Sequence, residues 1–159
     1  MRWLIIIVSL SGCVQKQVSA DLAPAIRSGS ENPHQAENDR LMKEVMASIA
    51  GREREAAGLV FENVENEALK KIPAQRFLRI MNMGYSRALG VACTHCHVDD
   101  DYASDEKRPK RAAREMAALH RQINQELSKM QHLEPREQAR FINCSTCHRG
   151  SVDPMEGSF

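Results

Sequence analysis

Residues 93–97 read CTHCH and residues 144–148 read CSTCH. Two cysteines three positions apart, followed at once by a histidine, form the attachment signature of c-type haem. The spacing has a chemical reason: two thiols add to the two vinyl groups of one porphyrin, and the adjacent histidine reaches the iron from the same side. Written twice, the motif implies two covalently attached haem c groups, one on Cys93, Cys96 and His97 and one on Cys144, Cys147 and His148. Three other uses explain less. A zinc site of two Cys-x-x-Cys pairs separates them by about 12 to 20 residues, whereas 47 residues lie between Cys96 and Cys144. A thioredoxin-like pair needs βαβ patterning, and the chain has none. Structural disulfides do not account for a histidine directly after both pairs.

Composition agrees with a chain that takes bulk from a cofactor. At 159 residues it suits one domain, or one domain with a tail. Aromatic residues make up only 4%, with one Trp, two Tyr and four Phe, so the chain's own core is thin. A large, flat, apolar group supplies what those side chains do not. The formal net charge of +1 sets up no strong field toward nucleic acid or an anionic membrane.

The first segment, MRWLIIIVSLSGC, has one basic residue, an apolar run and then small residues, the layout of a secretory signal rather than a membrane span. Leu10-Ser11-Gly12-Cys13 resembles a bacterial lipobox, which implies cleavage before Cys13 and acylation of its thiol. The alternative is a plain signal cut after Val18-Ser19-Ala20. Either route exports the protein, to the periplasmic or cell-surface side as a membrane-anchored lipoprotein on the first reading. Of five cysteines, Cys13 belongs to this segment and the other four are all inside the two motifs. The organisation read from the sequence is a signal over residues 1–12, a flexible tether over 13–32, a dihaem domain over 33–150 and a loose tail over 151–159.

Within the domain the fold class is all-α, a few helices packed around two haems. Asn32-Pro33 signals a helix start, and Leu41, Met42, Val45, Met46 and Ile49 recur at helical spacing, giving a helix over about 33–50. Pro73 opens a second, closed by Leu89-Gly90, with Phe77, Ile80, Met81, Gly84 and Ala88 on one broad face. The intervening LVFENVENEALKKI is either a short helix or a turn-rich connection. A charged loop, DDDYASDEKRPKR, leads to a helix over about 109–130 whose apolar stripe is Ala112, Met116, Leu119, Ile123, Leu127 and Met130. Pro135 starts a last short helix toward Cys144. No strand alternation is present.

Each iron then needs a sixth ligand. The available side chains are Met81, Met83, Met116, Met130, His34, His95, His120 and His132; a thioether opposite histidine raises the potential, a second histidine lowers it, and an open position admits small-molecule chemistry. His120 lies one turn after Met116 and rivals it for the second iron. His95, between the two cysteines of its motif, is read as exposed, and His34 and His132 as surface residues near helix ends.

The stretches IPAQRFLRIMNMGYSRALGVACTHCH, DYASDEKRPKRAAREMAALHRQIN and FINCSTCHRG resemble the haem-binding unit of the photosynthetic reaction-centre cytochrome subunit and its small relatives, over roughly residues 58–150. The resemblance implies that Met81, in Phe77-Leu78-Arg79-Ile80-Met81, ligates the first haem. It implies that Met116, in Ala113-Arg114-Glu115-Met116, ligates the second. The interval from Met81 to Cys93 is one residue longer than the family's pattern, which keeps Met83 as the alternative. Met130 stands where a larger member has a histidine reaching a haem of a second unit, so the resemblance implies a free-standing two-haem module.

The function these features imply is one-electron transfer between redox protein partners, without substrate chemistry and without nucleic acid. The rival class is a dihaem peroxidase-like enzyme or haem-based sensor with one five-coordinate iron; a haem-free metal-binding lipoprotein is a third. The run from Asp99 to Arg114 is strongly dipolar. It reads as a solvated loop and helix start, with a docking patch or a counterion for haem propionates as the functional alternative.

Overall fold

A computed structural model describes residues 32–132 and 141–155. The signal, the tether up to residue 31 and Cys13 lie outside them. Among the described residues eight α-helices and one π-helical segment follow in order: α1 (Gln35–Ser48), α2 (Ala57–Val60), α3 (Glu67–Lys70), α4 (Ala74–Arg79), the π segment (Ile80–Ser86), α5 (Arg87–Leu89), α6 (Cys93–Cys96), α7 (Arg108–Lys129) and α8 (Cys144–His148). There is no strand among the described residues. None of these helices is long and apolar enough to cross a membrane. The chain is all-α, as its periodicity implied.

Local chemistry accounts for the boundaries. Asn32 accepts from the His34 N–H at 2.9 Å and its carbonyl accepts from Gln35, which starts α1. Asn66 caps α3 by accepting from Ala68 and Leu69. Pro109 sits in the first turn of α7, where its missing N–H costs nothing. The undecided stretch 59–72 is both things at once, single-turn helices at 57–60 and 67–70 joined by an irregular link, with Phe61 stacked obliquely on Phe77 at 5.4 Å. The short helix expected from Pro135 falls on residues 133–140, outside the described residues, and 141–143 are not helical.

α4, the π segment and α5 form one continuous rod, with a wider winding than the α-helix expected from Pro73 to Gly90. The buried face also differs from the apolar one read in the sequence. Of the five residues assigned to it, only Ala88 is buried, while Asn82 and Ser86 lie against α1 and the first motif. The polar choice has partners. Asn82 donates to Asp39 at 2.7 Å and accepts from Gln35 at 3.0 Å.

The core is small. Among the described residues its buried apolar members are Leu41, Ile49, Ala57, Ala74 and Ala88, and the largest fully buried side chains are Asn38 and Asn82. α1 rests on α4 and the π segment, α8 rests on α5 and the π segment, and α7 is packed mainly against α6.

Candidate functional site

Each Cys-x-x-Cys-His motif is one helical turn, so both thiols project from one side and the histidine leaves at the C-terminal end. The four cysteines are unbridged. Burial pushes the Cys93, Cys96 and Cys144 thiols up, so without a bound metal they are protonated at neutral pH. The two pairs do not converge on one cation site: no group of three or more His, Cys, Asp or Glu among the described residues is placed to hold a metal ion.

The histidines share one arrangement. His97 Nδ1 lies 2.9 Å from Tyr102 O, and His148 Nδ1 lies 3.1 Å from Ser151 O. A carbonyl only accepts, so Nδ1 carries the proton and Nε2 keeps its lone pair. This is how a metal-ligating histidine is oriented from behind. The Tyr102 ring adds a tilted contact with the His97 ring at 5.4 Å. Burial holds His97 below its usual value, against the hydrogen bond to Tyr102 and helped by Lys110, Lys107 and Arg114. Neutral imidazole is the form that binds iron.

Each motif is entered through an asparagine that sequence reading missed. Asn38 of α1 accepts from Cys93 N–H at 2.9 Å and donates to Val91 O at 3.0 Å. Asn124 of α7 accepts from Ile142 N–H at 2.8 Å and donates to Ile142 O at 3.0 Å. The second motif then starts with a capping box between Asn143 and Thr146. A lone asparagine on a helix carries no signal beyond being polar where the helix is buried.

The motifs also meet each other. Gly150, just past His148, donates to Ala88 O at 2.8 Å, and Gly90, just before the first motif, stands so close that a Cβ on it would lie 2.1 Å from Gly150 O. Tyr85 is within electrostatic reach of both Cys96 and Cys144, and burial pushes its phenol up. The two attachment turns are therefore neighbours.

The sixth-ligand candidates separate. Met81 is half-buried, while Met83 and Met116 are 48% and 47% exposed, so Met116 does not fill a protein core. Met83 Sδ is 3.8 Å from Gln35 Nε2. His120, the rival to Met116, lies beside the chain that enters the second motif. Its Nε2 is 2.7 Å from Ile142 O and 2.9 Å from Asn124 Nδ2. His34, His95 and His132 are exposed. The dipolar loop is not simply solvated. Lys110 is buried, and Asp105 is held well below the usual carboxylate range by Arg114, Lys110 and Asn63.

The donor set fits haem c: two thiols and a histidine held through Nδ1 per turn, with Met116, Leu119 and Met130 of an apolar stripe exposed. A helical chain built on two such turns is in class a c-type cytochrome, whose cofactor is covalently attached. The family described as photosynthetic reaction centre cytochrome C subunit matches residues 24–158, and the chain belongs to that family. Over 77 residues it is 40% identical to a protein named cytochrome c-554 from Chloroflexus aurantiacus, covering 48% of this chain and 18% of that one. Over 85 residues it is 36% identical to a photosynthetic reaction center cytochrome c subunit from Rubrivivax gelatinosus, covering 48% of this chain and 23% of the relative. The chain spans about a fifth of the length of these curated relatives. No solved structure matches it.

Proposed function

We propose that this chain is a dihaem electron carrier, with one haem c on Cys93, Cys96 and His97 and another on Cys144, Cys147 and His148, serving redox protein partners outside the cytoplasm. The observation that carries the proposal is the matched contact of each motif histidine's Nδ1 with a backbone carbonyl, at 2.9 and 3.1 Å. Bound haem supplies a one-electron iron couple whose potential follows axial ligand, hydrogen bonding and burial. The chain's own work is to fix each histidine from behind, to hold each thiol pair on a single turn, and to bring the two turns together at Gly90 and Gly150. No acid or base is required, and no enzymatic step belongs to this reading.

Met81 is the sixth ligand of the first iron and Met116 that of the second. Met81 shares a face of the rod with Tyr85, which reaches both motifs, whereas Met83 shares one with the exposed Arg87. Met116 lies one turn before His120, whose contact with Ile142 sets this part of α7 beside the second motif. Cys13 is the lipid attachment point, supported by Leu10-Ser11-Gly12 before it. Mass spectrometry of the mature N-terminus decides this: an acylated Cys13 is expected, and a chain starting at Asp21 overturns it.

The test of function is optical spectroscopy on protein from a host with haem-c maturation. Two low-spin haems, two thioether-to-iron bands and no response to carbon monoxide are expected. Met81→Ala and Met116→Ala should each remove one band and open one iron to carbon monoxide, while Met83→Ala keeps both. A wild-type iron that binds carbon monoxide returns the reading to a peroxidase-like enzyme or sensor, and a colourless protein ends it.

A further inference from the structure

Lys110, in the first turn of α7, is only 9% exposed. Its ammonium donates to three consecutive carbonyls, Tyr102 O at 2.9 Å, Ala103 O at 2.8 Å and Ser104 O at 2.8 Å, and stands 3.2 Å from Asp105 Oδ1. The first of those carbonyls is the one that accepts from His97 Nδ1 at 2.9 Å. One oxygen therefore holds both the histidine of the first motif and a buried positive charge.

We infer that Lys110 is a positioning residue for the first haem centre: by fixing and polarising the Tyr102 carbonyl that holds His97, it raises that centre's reduction potential. This rests on the proposed attachment of haem at Cys93 and Cys96. Two effects act with the same sign. Oxidised iron carries one more positive charge than reduced iron, so a buried cation nearby favours the reduced form. A carbonyl already engaged by an ammonium is also a poorer acceptor for the His97 N–H, so the imidazole keeps its proton more firmly and gives less electron density to the iron.

The other charges around this loop do not cancel the effect. Lys107 donates to Thr94 O inside the motif, and Arg114 pairs with Asp105 at 2.8 Å and Glu65 at 3.2 Å. Asp99, Asp100, Asp101 and Glu106 of the same loop are exposed, Asp105 faces both Lys110 and Arg114, and Glu65 faces Arg114. The two paired side chains are also more exposed, 40% for Asp105 and 59% for Glu65 against 10% for Lys110, so solvent screens them more than it screens the ammonium.

The test is a potentiometric titration of the haem-loaded full chain, wild type against Lys110→Gln and Lys110→Arg, with haems counted by mass spectrometry. The first centre is identified as the potential absent from Cys93→Ala/Cys96→Ala protein and retained in Cys144→Ala/Cys147→Ala protein. Lys110→Gln is expected to lower the reduction equilibrium constant of the first centre by about tenfold, about 59 mV for a one-electron couple. The second centre should not move, and Lys110→Arg should restore the wild-type value. An unmoved first centre, an equal shift of both centres, or Lys110→Arg falling as far as Lys110→Gln overturns the inference while leaving the dihaem reading intact. A wild type without haem on the first motif ends both. If Lys110→Gln does not fold, Asp105→Asn carries the test with the opposite sign: the first centre should rise, and an unchanged value overturns the inference.

Discussion

Asn38 uses both ends of its amide on the chain around Ala92, and it does so fully buried. Replacing it with alanine leaves the Cys93 N–H without its acceptor in the interior, and an orphaned buried polar group costs about 1–3 kcal/mol. Val91 O is less affected, because Asn32 Nδ2 also reaches it at 2.9 Å. Asn38→Ala is therefore expected to lower stability by about 2–3 kcal/mol in urea unfolding of the loaded protein. Asn124→Ala, at an asparagine that is itself only half-buried, should lose about 1 kcal/mol. Equal costs for the two would show that burial of the clamp is not what matters. At this scale the sequence is readable only where chemistry has a fixed spelling. Cys-x-x-Cys-His is such a spelling. Asn38 and Asn124 are not, because an amide gains its meaning from a strand of backbone 55 or 18 residues away. Lys110 reads as one more cation in a charged run until the loop from 102 to 104 folds over it.

Among the elements, the rod from Ala74 to Leu89 is where sequence patterning and structure part company. The helix over 33–50 appears as 35–48 and the helix over 109–130 as 108–129, since apolar spacing, Pro and Gly mark those ends. The π segment has no such mark. IMNMGYS offers apolar residues at spacings that suit either winding, and packing of Asn82 and Ser86 against α1 decides. A π turn holds about one residue more than an α turn. Two glycines bound the tolerance of this rod. At Gly84 a new Cβ meets only Ile80 Cγ2 at 3.5 Å, an ordinary contact, so Gly84→Ala should be neutral or gain up to about 1 kcal/mol. At Gly90, φ is +68° and the new Cβ would lie 2.1 Å from the backbone of Gly150. Gly90→Ala should cost about 3 kcal/mol through overpacking and left-handed strain. Thermal melts of the two loaded variants check the contrast, and a Gly90→Ala protein melting with the wild type would mean that the two motif ends do not touch.

For the molecule as a whole, the question is what makes these helices one cooperative body. The buried apolar side chains among the described residues are two aliphatics and three alanines. α7, 22 residues long, leaves Met116, Leu119 and Met130 at 47%, 45% and 48% exposed and packs mainly against the single turn of α6. A helix held this lightly draws little stability from its own propensity, and an apolar stripe this open is a surface that needs covering. Haem attached at Cys93, Cys96, Cys144 and Cys147, as proposed, would add apolar bulk and bind the folded state, so it should raise stability by linkage as well as by packing. The chain expressed without haem-c maturation is accordingly expected to keep helical far-UV circular dichroism while binding a hydrophobic dye and melting broadly, the signature of secondary structure without fixed packing. The matured chain should exclude the dye and unfold in one sharp step. Hydrogen exchange locates the difference: amides of α7 should exchange fastest in the haem-free chain, while those of α1 and the rod, joined by Asn82, Asp39 and Gln35, should keep more protection. A haem-free chain that melts sharply, with α7 protected as well as α1, would show that the protein part suffices and that the thin core is no measure of its stability.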